Sequence, residues 1–279
     1  MKPRPFDYVR PDRVEEVVDV LAEYGEAARI LAGGQSLVAM LNLRLMEAAV
    51  LIDIARIAEL DHISDLGDRI EVGAAVTQNR LLAWPGLAAK LPLVGASLPF
   101  VGHFQTRNKG TVCGSVAHGD PTAEISLALA LLDGEVVLRS QTRTRVLAAR
   151  EFQRDMLSTA CEPDELVTAV RFPVIPGCGV AFREVARRHG DFAIIAVGAL
   201  VESGGGGPRM ARLGIGGMTG TPLVARIALD GARTLREAVG ELADKLEGYD
   251  DLHASARMRR DLLRRLAPVV IEEAVRCAA

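Results

Sequence analysis

Apolar residues recur along the chain with two different periods. Val14, Val17, Val18 and Leu21 fall on one face of a helix, with Asp12 placed to cap it, Glu15 as its third residue and Gly25 placed to stop it. Ala28 to Leu31 reads as a short buried strand, followed by the turn Ala32-Gly33-Gly34-Gln35-Ser36, another apolar helical run and a strand at Val50 to Ile54. Arg69 to Val76 has strand character, and Thr77 is placed to cap the next helix. From Pro85 to Phe104, alternating glycines, prolines and apolar residues predict short packed helices. Beyond a polar stretch, an apolar helix ends near Asp133-Gly134, and strands follow at 135–138, 145–147 and 166–172. Pro173 and Pro176 interrupt regular pairing. The last third predicts strands at 180–185, 193–201 and 209–215, a surface turn at Ser203 to Gly207, and helices opening at Thr234 and spanning Ser255 to Val275.

These elements group into three segments, 1–56, 57–173 and 174–279. The composition, 49% hydrophobic and 25% charged, excludes a largely disordered chain. A formal net charge of -3 argues against a nucleic-acid protein that relies on a broad cationic surface. The amino terminus carries charge and two prolines, Pro3 and Pro5, where a signal peptide has an apolar core. Ile125 to Leu132 is too short to cross a bilayer. Cys113, Cys161, Cys178 and Cys277 lie far apart, without the close pairs of a zinc knuckle or an iron–sulfur motif. They read as reduced thiols, and the chain as a soluble cytoplasmic protein with no membrane span and no nucleic-acid partner.

Two polar segments carry candidate chemistry. Gly33 and Gly34 stand at a strand-to-helix junction, where glycine leaves backbone N–H groups uncovered for an anionic pyrophosphate. Ser36 offers a hydroxyl or caps the helix, and the same residues equally describe a structural turn. The segment matches neither the Walker loop nor G-x-G-x-x-G, so a kinase or an ordinary dinucleotide dehydrogenase has little support. The second segment runs from Arg107 to Glu124. Gly110 and Gly114 permit a close, irregular backbone path, and Thr111 and Ser115 offer hydroxyls. Asp120 precedes Pro121, so it reads as a helix cap or as an acceptor for cofactor hydroxyls; Glu124 reads as a first-turn carboxylate or as the same kind of acceptor. His103 and His118 lack companion ligands, so no metal is assigned. No nucleophile elbow accompanies the polar residues, and no catalytic side chain is assigned.

The order and separation of Ala32-Gly33-Gly34-Gln35-Ser36 and Arg107-Asn108-Lys109-Gly110-Thr111-Val112-Cys113-Gly114-Ser115-Val116-Ala117-His118 resemble the FAD-binding medium subunit of molybdenum hydroxylases. This family includes carbon monoxide dehydrogenase medium chains and the flavin domain of xanthine dehydrogenase. Arg183-Glu184-Val185-Ala186-Arg187-Arg188, Gly190-Asp191-Phe192-Ala193 and the segment Ser255 to Arg260 extend the similarity over nearly the whole chain. The resemblance implies an α+β fold: a two-subdomain FAD-binding fold of the vanillyl-alcohol-oxidase/PCMH type, then a small α/β domain like the carbon monoxide dehydrogenase flavoprotein C-terminal domain. It implies FAD pyrophosphate at Ala32, Gly33, Gly34, Gln35 and Ser36 and near Thr111, Gly114 and Ser115. Asp120 or Glu124 would take sugar or ribityl hydroxyls, and Phe192 would cover the isoalloxazine.

One departure is Cys113, which stands where the family commonly has the first of two adjacent glycines; it reads as a small buried thiol. The implied function is electron transfer within a molybdenum hydroxylase. A large partner would hold the molybdenum cofactor, a small partner two [2Fe–2S] clusters, and this chain the FAD that serves an external acceptor. The implied assembly is a dimer of heterotrimers, with a nitrogen heterocycle preferred as substrate. Two competing readings are a self-contained FAD-dependent oxidoreductase and a non-catalytic nucleotide-binding assembly protein.

Overall fold

The computed structural model describes residues 2–202, 210–231 and 233–278. The turn expected at Ser203 to Gly207, and Arg209 at the start of the strand behind it, lie outside these residues. Strand Val50–Asp53 is central in a three-stranded parallel sheet, between Asp7–Val9 and Ala28–Leu31. Helix Val14–Tyr24 covers this sheet with Val14, Val17, Val18 and Leu21, the predicted apolar face. Gly25 ends the helix at φ +49°, and its N–H donates to the Leu21 carbonyl. Asp12 is not the cap: Arg13 holds that position, and the Asp12 N–H instead donates to Glu16 Oε2 at 2.9 Å.

A five-stranded antiparallel sheet follows, in the order Ile63–Asp65, Arg69–Gly73, Leu166–Pro173, Glu135–Arg139 and Thr144–Ala148. The strand expected to reach Val76 ends at Gly73, because the chain then turns: the Val76 N–H donates to the Gly73 carbonyl. Thr77 caps helix Gln78–Leu82 as expected, accepting from the Arg80 N–H. A half-buried ion pair fastens the outer hairpin. Glu165, whose side chain is fully buried, takes Arg145 Nε and Nη2 on separate oxygens, each at 2.6 Å.

The last region is a four-stranded antiparallel sheet, Gly179–Val185, Ile195–Val201, Met210–Gly216 and Leu223–Ala228. All seven residues of Ile195–Val201 are buried, because helices cover both faces. Ile195, Val197, Ala199 and Val201 face helix Ala256–Cys277, which presents Leu263, Ala267, Val270, Ile271 and Ala274. Ala196 and Leu200 belong to the other core, with helix Glu124–Leu131. Glycine brings that helix close: a methyl group at Gly214 would sit 3.0 Å from Leu127 Cδ1 and 3.2 Å from Leu131 Cδ2. The helix is apolar on nearly every side, as a helix enclosed in a core must be. Arg212 bonds the Leu131 carbonyl at its carboxyl end and Asp133 Oδ2 at 2.6 Å. The core is therefore continuous across the junction near residue 175.

Candidate cofactor-binding site

The two candidate loops meet. Gly33 packs so tightly on the second loop that a methyl group there would overlap the Lys109 carbonyl oxygen and lie 2.7 Å from Gly110 Cα. Gly34 adopts φ +69°, a left-handed conformation that glycine takes without cost. A methyl group at Gly114 would lie 4.0 Å from Ala32 Cβ. The N–H groups of Gly33, Gly34, Gln35 and Ser36 donate to no other group among the described residues. Gln35 instead turns its side chain back, Nε2 donating to the Gly33 carbonyl at 3.1 Å. Ser36 occupies the N-cap position of helix Leu37–Leu43 without using its hydroxyl as a cap.

The second loop is held from behind. Thr77 and Thr111 form an isolated antiparallel bridge, the Val112 N–H donates to the Val76 carbonyl, and the Gln78 N–H to the Gly110 carbonyl. Thr111 caps helix Val112–His118, its hydroxyl oxygen accepting from the Gly114 N–H at 3.0 Å, while the Ser115 N–H donates to the Thr111 carbonyl. Cys113 points away from this surface. It is buried, with Sγ 3.3 Å from the Val72 carbonyl, and desolvation raises its pKa far above the usual thiol range. The side chain that departs from the double glycine is thus absorbed by the core.

Asp120 does not cap helix Glu124–Leu131, whose N-cap is Ala123. Its Oδ1 accepts from the Thr122 N–H at 2.8 Å and the Thr122 hydroxyl at 2.7 Å, closing a turn that leaves Pro121 outside the helix. Glu124 is only 8% exposed, and burial pushes its carboxyl up to about 7, with Asp120 adding repulsion. Glu184 lies opposite Ala196 in the sheet, on the face that meets this helix. Burial pushes Glu184 up to about 8 and Glu124 adds repulsion; its Oε2 is buried without a hydrogen-bond partner. Two carboxyls from different regions therefore face a common space, and at neutral pH a carboxylic acid there can donate a hydrogen bond.

Phe192 stands apart from these loops at 70% exposure, on a loop that crosses the 100–104 segment. Gly190, at φ +84°, makes that crossing possible, since a methyl group would lie 2.9 Å from the Gly102 carbonyl. Phe100 and Phe182 meet at 5.6 Å, and His103 and His189 at 6.5 Å, between ring centroids. The structure thus joins Ala32 to Ser36 with Thr111, Gly114 and Ser115, sets Asp120 and Glu124 in the following turn, and holds Phe192 on a separate exposed loop.

Sequence reasoning missed Gln78 and Glu184. Gln78 is 5% exposed, with its Oε1 unpartnered, and its only sequence signal was a place after a capping threonine. Glu184 was visible only as one of two adjacent charged residues, Arg183 and Glu184, at the end of an apolar strand. Among the described residues, no group of three His, Cys, Asp or Glu is placed to hold a metal ion, and no helix is long and apolar enough to cross a membrane.

An extended dinucleotide fits this arrangement. Bare backbone donors lie where side chains would collide, hydroxyls lie beside them, and the Asp120 turn with the buried Glu124 carboxyl follows in sequence. Comparison with known proteins agrees. Residues 4–175 match the FAD binding domain in molybdopterin dehydrogenase, and residues 180–274 the CO dehydrogenase flavoprotein C-terminal domain. The carbon monoxide dehydrogenase medium chain of Afipia carboxidovorans is 34% identical, covering 95% of this chain and 96% of its own. The 6-hydroxypseudooxynicotine dehydrogenase complex subunit alpha of Paenarthrobacter nicotinovorans is 32% identical, over 99% and 96%. The solved quinoline 2-oxidoreductase from Pseudomonas putida 86 superposes with a TM-score of 0.92 at 31% identity, over 100% and 99%. This chain belongs to the family of FAD-binding medium subunits of the molybdenum hydroxylases.

Proposed function

We propose that the chain holds one noncovalent FAD and serves as the electron outlet of a three-subunit hydroxylase. A large partner holds the molybdenum cofactor, and a small partner holds two [2Fe–2S] clusters. The assembly is a dimer of heterotrimers in the cytoplasm, the substrate a nitrogen heterocycle, and an external acceptor receives the electrons. FAD, when bound, supplies the chemistry that links iron–sulfur carriers to that acceptor. The segments 1–56, 57–173 and 174–279 divide the work: the first two hold the cofactor and the third closes over its ring.

The meeting of the Gly33-Gly34 and Lys109-Gly110 backbones supports this reading most directly, beside four N–H groups that have no acceptor among the described residues. Gly33, Gly34, Gln35 and Ser36 offer those N–H groups to the pyrophosphate, and Thr111 and Ser115 set the opposite wall. Asp120 and Glu124 accept sugar or ribityl hydroxyls. Phe192 excludes water from one side of the isoalloxazine. No side chain of this chain is required to attack the organic substrate. The quinoline-acting relative supports the heterocycle preference.

The reading is tested by anaerobic reduction of the flavin with candidate substrate, first on this chain alone and then with both partners present. Reduction is expected only in the assembled set. Rapid substrate-driven reduction by the isolated chain would instead identify a self-contained oxidoreductase.

A further inference from the structure

Arg259 is 1% exposed, the most deeply buried basic residue among the described residues. It rises from the first turn of helix Ala256–Cys277, which Ser255 caps through the Met258 N–H at 3.2 Å. Its Nη1 donates to the carbonyls of Ile194 and Gly217, the latter at 2.8 Å, and its Nη2 to Asp251 Oδ2 at 2.6 Å. The guanidinium carbon lies 4.3 Å from the centroid of the Tyr249 ring. Asp251 is itself fixed, its Oδ1 accepting from the backbone N–H groups of His253 and Ala254.

The two carbonyls lead to two parts of the site. Ile194 ends the loop that carries Phe192. Gly217, at φ +77°, donates its own N–H to the Pro121 carbonyl at 3.0 Å, between Asp120 and Glu124. One buried cation therefore ties the end of the Phe192 loop to Gly217, and through it to the Asp120–Glu124 turn, just beyond the last strand pair, Ala196 with Gly216. Its Nε makes no hydrogen bond among the described residues.

We propose that Arg259 is a positioning residue for the ring end of the bound cofactor, fixing the Phe192 loop against the Asp120–Glu124 turn without touching the cofactor. The inference rests on the FAD reading above. It separates the two ends of the ligand: the pyrophosphate loops at 32–36 and 109–115 make no hydrogen bond to Arg259 or its partners. Lysine cannot replace it, because a single ammonium lacks the planar fork that reaches two carbonyls and a carboxylate together.

The test titrates the full-length chain, stripped of flavin, with FAD and separately with ADP, and records the visible circular dichroism of bound flavin. Arg259→Met and Arg259→Lys are expected to weaken FAD binding about tenfold or more and change the flavin spectrum, with ADP binding held within about threefold. Asp251→Asn keeps the guanidinium and the backbone contacts of Oδ1, so it reports if the Arg259 variants do not fold. It is expected to change the flavin spectrum in the same direction with a smaller loss of affinity. Wild-type FAD affinity and an unchanged spectrum in a folded Arg259 variant, or in Asp251→Asn if neither folds, would overturn the proposal. So would equal losses for FAD and ADP in the variant that decides. Failure of the wild-type chain to bind FAD at all would instead overturn the FAD reading.

Discussion

Gly33 lies directly against the Lys109 carbonyl, with no room for even a methyl group between them. The contact joins the turn after strand Ala28–Leu31 to the loop before helix Val112–His118, and in the proposed reading it is the floor under the pyrophosphate. Gly33→Ala is therefore expected to push the loops apart and weaken FAD binding at least about tenfold, equivalent to about 1.4 kcal/mol. Titration of a variant with wild-type circular dichroism checks this, and unchanged affinity would remove Gly33 from the site.

Gly34 fails differently. Its φ of +69° and its packing, where a methyl group would sit 3.1 Å from both Leu31 and Val38, make Gly34→Val strained as well as crowded. The left-handed conformation alone costs a non-glycine residue about 1–2 kcal/mol. The same titration should show weaker FAD binding together with a lower melting temperature. A variant that keeps wild-type affinity would show that this conformation is not needed for binding.

The Glu124–Glu184 pair makes the flavin-free protein sensitive to alkali. Unfolded, each carboxyl releases its proton near 4.5; folded, Glu124 retains it to about 7 and Glu184 to about 8. Between these values the folded state binds more protons, so stability falls as pH rises from about 4.5 to about 8 and then levels off. Glu124→Gln should flatten the lower part of this decline and gain on the order of 1–3 kcal/mol relative to wild type at about pH 8.5. Urea melts across that range provide the measurement, and parallel profiles for variant and wild type would refute the pairing.

Glu165 gives the opposite sign. Burial works to raise its pKa, but the Arg145 fork prevails and holds it below the usual carboxylate value. Its contribution is present above about 4.5 and is lost as pH falls through the lowered folded value. Glu165→Ala removes the carboxylate that Arg145 grips with two nitrogens but leaves it Glu162 and the Ala160 carbonyl, and is expected to cost about 1–3 kcal/mol in urea unfolding at neutral pH. The FAD affinity of the folded fraction should stay unchanged, since neither side chain hydrogen-bonds to a residue of either loop.

Much of this architecture was legible because it depends on local signals. The face Val14, Val17, Val18 and Leu21, the stop at Gly25 and the cap at Thr77 appear where residue type and spacing place them, and the helices expected to open at Thr234 and Ser255 do so with those residues as their N-caps. The strands Asp7–Val9, Ile63–Asp65 and Leu223–Ala228 were not anticipated, because the first two are short and the last is an edge strand with alternating exposure. Asp120 misled for a related reason. An aspartate before proline resembles a helix cap, but its carboxylate closes a tighter turn and the helix begins later. The glycine motifs marked the loops but not their mutual contact, and Glu184 acquires its environment only when the last sheet docks. Long-range packing supplies what residue order does not.

Strand Ile195–Val201 has no face left for solvent. One side carries Ala196, Gly198 and Leu200 against the helix at 124–131, and the other carries Ile195, Val197 and Ala199 against the helix at 256–277. The stretch near residue 175, where the two family matches meet, is therefore not a place to cut. A fragment ending there would bare Leu127 and Leu131, while the remaining piece would leave its central strand unroofed. Neither half carries a complete interior, so neither is expected to fold cooperatively without the other.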